Sequence, residues 1–155
     1  MEYAAELLNR VIEGVHGPRI GLHVCRGNWS RSEDVLLTGN YEPLIPCFKK
    51  IGVTQFVLEY ATPRAGDVDV VGKALSDREI GLGVVNPRTE EIESVETIIR
   101  NAERALNYYR PEQVFLNPDC GFGCFANRCV NDEASAARKM RNIVIAAQHL
   151  RQKHG

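Results

Sequence analysis

The sequence predicts an α/β fold of parallel strands covered by helices, and three observations lead there. Four short apolar runs, Arg19 to Cys25, Gln55 to Tyr60, Ile80 to Val85 and Gln113 to Leu116, recur along the chain. Between them lie stretches with helical spacing or with room for a short helix, and continuous apolar strands alternating with helices mark a parallel sheet. The chain also opens and closes on a helix. Its four strand-helix units therefore read as the second half of a TIM-type (β/α)8 barrel, a fold that takes ~250 residues when whole. The 155 residues form a single partial-barrel domain, with no low-complexity segment or inter-domain linker.

Each element has its own signal. Residues 2 to 13 place Ala5, Leu8, Val11 and Ile12 at helical spacing, and Gly14 to Pro18 end that helix. After the first strand comes a polar loop, RGNWSRSEDVLLTGN, holding the single tryptophan, Trp29. Tyr41 to Ile51 is expected to be helical, with Pro43 tolerable in its first turn, Pro46 a distortion further in, and Gly52 at its close. The second strand leads into a long loop, ATPRAGDVDVVGKALSDRE, and the third ends in Asn86-Pro87-Arg88. Ile92, Val95, Ile99, Ala102, Leu106 and Tyr109 then repeat at three and four residues, the strongest helical periodicity in the chain. The fourth strand runs into Asn117-Pro118-Asp119-Cys120 and the glycine-rich loop GFGCFANRC. A last helix, Glu133 to Lys153, aligns Ala137, Met140, Val144, Ala147 and Arg151 along one side.

Composition narrows the function. The chain is 44% hydrophobic and 25% charged with a formal net charge of -1, an ordinary globular balance. Without a Lys/Arg cluster there is no electrostatic footprint for nucleic acid. No apolar run approaches the ~18 residues that span a bilayer, and MEYAAELLNR reads as an amphipathic helix rather than a secretory signal, so a cytoplasmic location is expected. Five cysteines, an odd number, argue against a disulfide framework and for metal binding or a reactive thiol.

In a barrel of this kind the chemistry lies at the carboxyl ends of the strands. Those ends carry His23 and Cys25, then Glu59, then Asn86 and Arg88, then Asp119 and Cys120. His23 and Cys25 are two apart on a strand and so share a face. Imidazole and thiol donors suit a tetrahedral zinc ion, and Glu59, a carboxylate in the apolar run FVLEYA, needs a cation if it is buried. His23, Cys25, Glu59 and Cys120 are the candidate metal ligands; a salt bridge to a loop arginine such as Arg64 is the plainer role for Glu59. Arg88 and Asn86 are placed to hold a substrate carboxylate, and Asp119 either orients a ligand from behind or caps the following loop. Cys47 is read as a small buried hydrophobe. Cys120, Cys124 and Cys129 form C-x3-C-x4-C, open to a separate zinc cluster, a redox pair or plain loop thiols. GFG at 121 to 123 lacks the spacing of a phosphate loop.

The motifs HVCRGNW at 23 to 29, LEY at 58 to 60, NPR at 86 to 88 and NPDCGFG at 117 to 123 resemble the C-terminal catalytic barrel of cobalamin-independent methionine synthase, in the family's order and across essentially the whole chain. The resemblance implies a (β/α)8 barrel and methyl transfer from a methylated folate to homocysteine. It implies zinc as cofactor on His23, Cys25, Glu59 and Cys120, with no catalytic residue beyond the metal site. In such proteins the barrel begins about four strands earlier, and that region supplies an Ile-Gly-Ser segment, a glutamate and a D-E-P aspartate that anchor the amino acid. Neither the Ile-Gly-Ser segment nor a D-E-P motif occurs in this sequence.

Two rival readings follow. One resembles the epoxyalkane:coenzyme M transferases, in which zinc activates a different thiol. The other is a non-catalytic half-barrel that needs a partner. Because a half-barrel exposes two strand edges and an apolar face, self-association or a complementary half-barrel is the expected partnership.

Overall fold

The protein is described from a computed structural model, which covers residues 2–123, 127 and 129–155. Cys124 lies outside the described residues. The chain runs α1 (Glu2–Ile12), β1 (Gly21–Val24), α2 (Ile45–Phe48), β2 (Gln55–Leu58), α3 (Asp69–Leu75), β3 (Glu79–Val85), α4 (Val95–Ala105), β4 (Val114–Pro118) and α5 (Glu133–His154). Among the described residues the four strands form one sheet in the order β1-β2-β3-β4, every neighbouring pair parallel. That is the sequential, right-through order of consecutive strand-helix units, and half of a (β/α)8 barrel is consistent with it.

Burial follows position in the sheet. In β3 every residue after Glu79 is buried, whereas β1 alternates between exposed and half-buried. One core cluster joins β3 to α4 and α5 through Ile80, Leu82, Ile98, Ala102, Ile143 and Ala146; a second joins β2 to α1, α2 and α3 through Phe56, Leu58, Ala5, Phe48 and Val71. Ser94 caps α4 by accepting from the Thr97 N–H, and Asp132 caps α5 by accepting from the Ser135 N–H at 2.8 Å, each supplying an acceptor for an otherwise unpaired first-turn donor. No helix among the described residues is long and apolar enough to cross a membrane.

Several elements differ from the sequence expectation for identifiable reasons. The helix expected over Tyr41 to Ile51 is broken into a 3-10 turn at Glu42–Leu44 and the single turn α2. Pro46 lies at the start of α2, where its missing N–H costs nothing, so the proline restarts a helix rather than distorting one. The long loop after β2 contains a 3-10 turn, Pro63–Ala65, and the helix α3. Gly72 in α3 lets the Tyr108 ring close in: a Cβ there would stand 2.5 Å from it. Helix α4 begins at Val95 rather than Ile92, and its most buried line is Ile98, Ala102 and Ala105, with Tyr109 beyond its end.

The largest difference is the face that α5 buries. Ser135, Lys139, Ile143 and Ala146 point inward, whereas Met140 and Val144, on the side that the spacing aligns, are 41% and 51% exposed. Met140, Val144 and Ala147 instead line an open groove with Leu106, Val114 and Leu116, beside the free edge of β4. The helix thus carries an apolar stripe that this part of the fold leaves uncovered. Its inward face is interrupted by a lysine.

Candidate metal centre

Three strand ends deliver the centre. β1 ends at Val24, with His23 inside it and Cys25 one residue past it; Glu59 follows β2; Cys120 lies two residues past β4. The parallel register brings His23 opposite Val57 and Val24 opposite Leu58, so the carboxyl ends of β1 and β2 are level. One donor atom each from His23, Cys25, Glu59 and Cys120 lies within 4.8 Å of all the others. Among the described residues no other set of three or more such donors converges.

Cys120 is at the middle of the group. Its Sγ is 3.3 Å from His23 Nε2, 3.3 Å from Cys25 Sγ and 3.3 Å from Glu59 Oε1. The other ring nitrogen of His23, Nδ1, is 3.1 Å from the Val57 carbonyl oxygen. A carbonyl only accepts, so Nδ1 carries the proton and Nε2 presents its lone pair to the group, the tautomer that metal ligation requires. The Gly27 N–H donates to Cys25 Sγ at 3.3 Å.

Glu59 is fully buried and held from both sides. Its Oε1 accepts the Arg26 backbone N–H at 2.9 Å and faces Cys120, while Oε2 accepts from Arg64 Nη2 at 3.0 Å. The salt bridge to Arg64 and the place in the donor group are therefore compatible roles, one for each oxygen. Arg64 is fixed in turn: Nη1 donates to the Leu37 carbonyl and Nη2 also to Asn28 Oδ1. Tyr41 closes the back of the site. Its hydroxyl accepts the Glu59 N–H at 2.9 Å, and its ring lies 4.2 Å under the Arg26 guanidinium. Burial pushes the Tyr41 phenol up to about 12, so it stays a neutral hydrogen-bonding group.

Asp119 serves the same strand end. Its Oδ1 accepts the N–H groups of Tyr60 and Ala61, both at 2.9 Å, which fixes the backbone immediately after Glu59. Burial raises its carboxyl to about 7 against the opposing pull of those two donors. The approach depends on Gly83, where a Cβ would stand 2.1 Å from Asp119 Oδ1. The ladder between β3 and β4 slips at this point, Gly83 pairing with Asn117 but Val85 with Pro118, as a bulge does.

Arg88 and Asn86 are buried rather than solvated. Asn86 Oδ1 accepts the Arg88 N–H at 3.0 Å, and Arg88 Nε donates to Asn28 Oδ1 at 2.7 Å. Asn28 thus receives two guanidinium groups on one oxygen. Neither Asn28 nor Lys139 stands out in the sequence as part of a site; the cue for Asn28 is its place in the polar turn directly after the His23 and Cys25 strand. Trp29 is 46% exposed, and Cys129 is an exposed thiol.

The chemistry of the set suits a metal. Without a cation, burial and then the neighbouring Cys25 and Glu59 drive the Cys120 thiol above its ordinary range, because further negative charge is disfavoured there. A divalent ion at the centre would reverse that balance, and the group would offer it two sulfurs, one nitrogen and one oxygen. His23 and Cys25 are exposed, which leaves one side of the group accessible.

Residues 18–149 match the family described as cobalamin-independent synthase, catalytic domain. The chain is 36% identical over 148 residues to a methionine synthase of Pyrococcus abyssi, covering 96% of this chain and 38% of that protein. It is 35% identical over 121 residues to a methionine synthase of Sulfolobus acidocaldarius, covering 78% of this chain and 31% of that one. In fold it superposes with a TM-score of 0.79 on a B12-independent methionine synthase from Shewanella sp. W3-18-1 in complex with selenomethionine, at 17% identity over 97% of this chain and 43% of that one. The chain spans about two fifths of the length of these relatives. With the family matched over most of its residues, the chain belongs to the cobalamin-independent synthase catalytic-domain family.

Proposed function

We propose that this chain carries the metal cage of a zinc-dependent methyltransferase that moves a methyl group from a methylated folate, 5-methyltetrahydropteroyl-glutamate, to the thiolate of homocysteine, giving methionine. The observation that carries the reading is the convergence of His23, Cys25, Glu59 and Cys120 within 4.8 Å at the carboxyl end of the sheet. Zinc accepts nitrogen, thiolate and carboxylate donors in one tetrahedral set, whereas magnesium and calcium favour oxygen alone. When bound there, it supplies the Lewis acidity that turns a thiol into a nucleophile at neutral pH.

The chain's own residues prepare that site. Val57 holds the His23 tautomer, Arg26 and Arg64 hold the Glu59 carboxylate with one oxygen toward the sulfurs, and Asp119 fixes the backbone beside it. The acceptor thiol enters on the side where His23 and Cys25 are exposed. Asn86, Arg88 and Asp119 are assigned to the substrate side through the loops they close, at the ends of β3 and β2. The remaining substrate contacts belong to further strand-helix units that pair with the open edges of β1 and β4, supplied as a complementary half-barrel or by self-association.

The test is a titration of the cobalt-substituted chain with homocysteine, followed by its thiolate-to-metal absorption. Entry of the acceptor thiol predicts a new charge-transfer band that saturates with homocysteine. A spectrum unchanged at millimolar thiol would make the metal purely structural.

A further inference from the structure

Lys139 is fully buried on α5, on the face shared with Ser135, Ile143 and Ala146. Its Nζ lies 2.8 Å from Glu93 Oε2 and also donates to the Glu91 carbonyl. A buried ion pair is weak evidence for stability, since an apolar pair of similar volume commonly does as well. Its value has to be sought in what it positions.

The other oxygen of Glu93 accepts the Asn86 N–H at 2.7 Å, at the first residue after β3. From there the contacts continue inward. Asn86 Oδ1 accepts the Arg88 N–H at 3.0 Å, Arg88 Nε donates to Asn28 Oδ1 at 2.7 Å, and Arg64 Nη2 reaches the same oxygen at 3.2 Å. Arg64 Nη2 also holds Glu59 Oε2 at 3.0 Å. Arg88, Asn28 and Glu59 are 4%, 1% and 0% exposed, so water does not loosen these links.

We propose that Lys139 and Glu93 are positioning residues for the metal cage: through Asn86, Arg88, Asn28 and Arg64 they hold the Glu59 carboxylate with Oε1 toward the sulfurs. The inference rests on the reading of Glu59 as a metal ligand. Partners behind a ligand typically change metal affinity by roughly 10–100-fold, and a relay of this length belongs at the lower end. Coupling along the relay is read by a double-mutant cycle.

The experiment measures zinc affinity of the full chain by competition with a chromophoric chelator. The double variant Lys139→Met/Glu93→Leu removes both charges and, with them, the oxygen that accepts the Asn86 N–H. It is expected to bind zinc about 10-fold more weakly than wild type, and to add no further loss in a Glu59→Gln background. Arg88→Gln cuts the relay at its middle and is expected to behave alike, so it decides the matter if the first variant does not fold. Unchanged affinity, or the same loss with and without Glu59, would overturn the positioning role while leaving the cage intact. A wild-type chain that takes up no zinc would overturn the cage, and the relay with it.

Discussion

Two carboxylates, fully buried Glu59 and half-buried Glu93, are each paired to a cation and are used in different ways in this molecule. Glu59 meets Arg64 with side-chain exposures of 0% and 8%, and Glu93 meets Lys139 with 16% and 0%. Both have an oxygen on the cation and an oxygen on a backbone N–H. The difference is that Glu59 Oε1 also faces Cys120 Sγ and, beyond it, a histidine and a second thiol. Burial and pairing alone therefore do not mark a reactive carboxylate; convergence with soft donors does. Glu93 organises a loop, and Glu59 keeps an oxygen toward the sulfurs.

Breaking the two pairs should separate these roles. The largest effect is expected from Cys120→Ser, because Cys120 touches all three other donors: zinc affinity should fall well beyond the ~10-fold of an outer partner, as measured by chelator competition. Next, Arg64→Met should cost about 3–5 kcal/mol by urea unfolding of metal-free chain, because Glu59 is left buried without its cation, and should also weaken zinc binding about 10-fold by chelator competition, because Arg64 holds the Glu59 carboxylate directly. Lys139→Met leaves half-buried Glu93 without its cation and should cost about 3 kcal/mol by urea unfolding, the low end for a broken buried pair, largely recovered in Lys139→Met/Glu93→Gln. The contrast between the pairs is one of distance: Arg64 touches Glu59 itself, whereas Lys139 reaches it only through Glu93, Asn86, Arg88 and Asn28.

Gly83→Ala comes lower in the series. Its Cβ would collide with Asp119 Oδ1 and the Leu58 carbonyl, and overpacking of that kind typically costs about 1–3 kcal/mol. The smallest effect is expected from Val144→Ser in the open groove: on an exposed site the monomer's stability should move by less than about 0.5 kcal/mol. Self-association, followed by light scattering, should weaken in that variant if the groove is where copies meet.

What the sequence made legible was whatever depends on period and order. Four apolar runs became four parallel strands, and the strand-end rule picked out His23, Cys25, Glu59 and Cys120 because each stands at a strand's carboxyl end whatever the packing around it. The parts that stayed hidden depend on which neighbour a side chain meets. Met140, Val144 and Ala147 have a core-like spacing, yet the fold turns Lys139 inward because Glu93 and the Glu91 carbonyl receive its charge from 46 and 48 residues away. Pro46 permits either a kink or a fresh start, and only the turn at Glu42–Leu44 decides between them. Asn28 looks like any polar turn residue until Arg64 and Arg88, 36 and 60 residues on, converge on its oxygen.

The cage is the centre of the account, and metal content tests it most directly. Elemental analysis of the purified chain, alongside Cys120→Ser, should find about one zinc per wild-type chain and little in the variant, as one tetrahedral site predicts. A folded wild-type chain without zinc, or a variant that retains it, would contradict the assignment of His23, Cys25, Glu59 and Cys120 as the metal site.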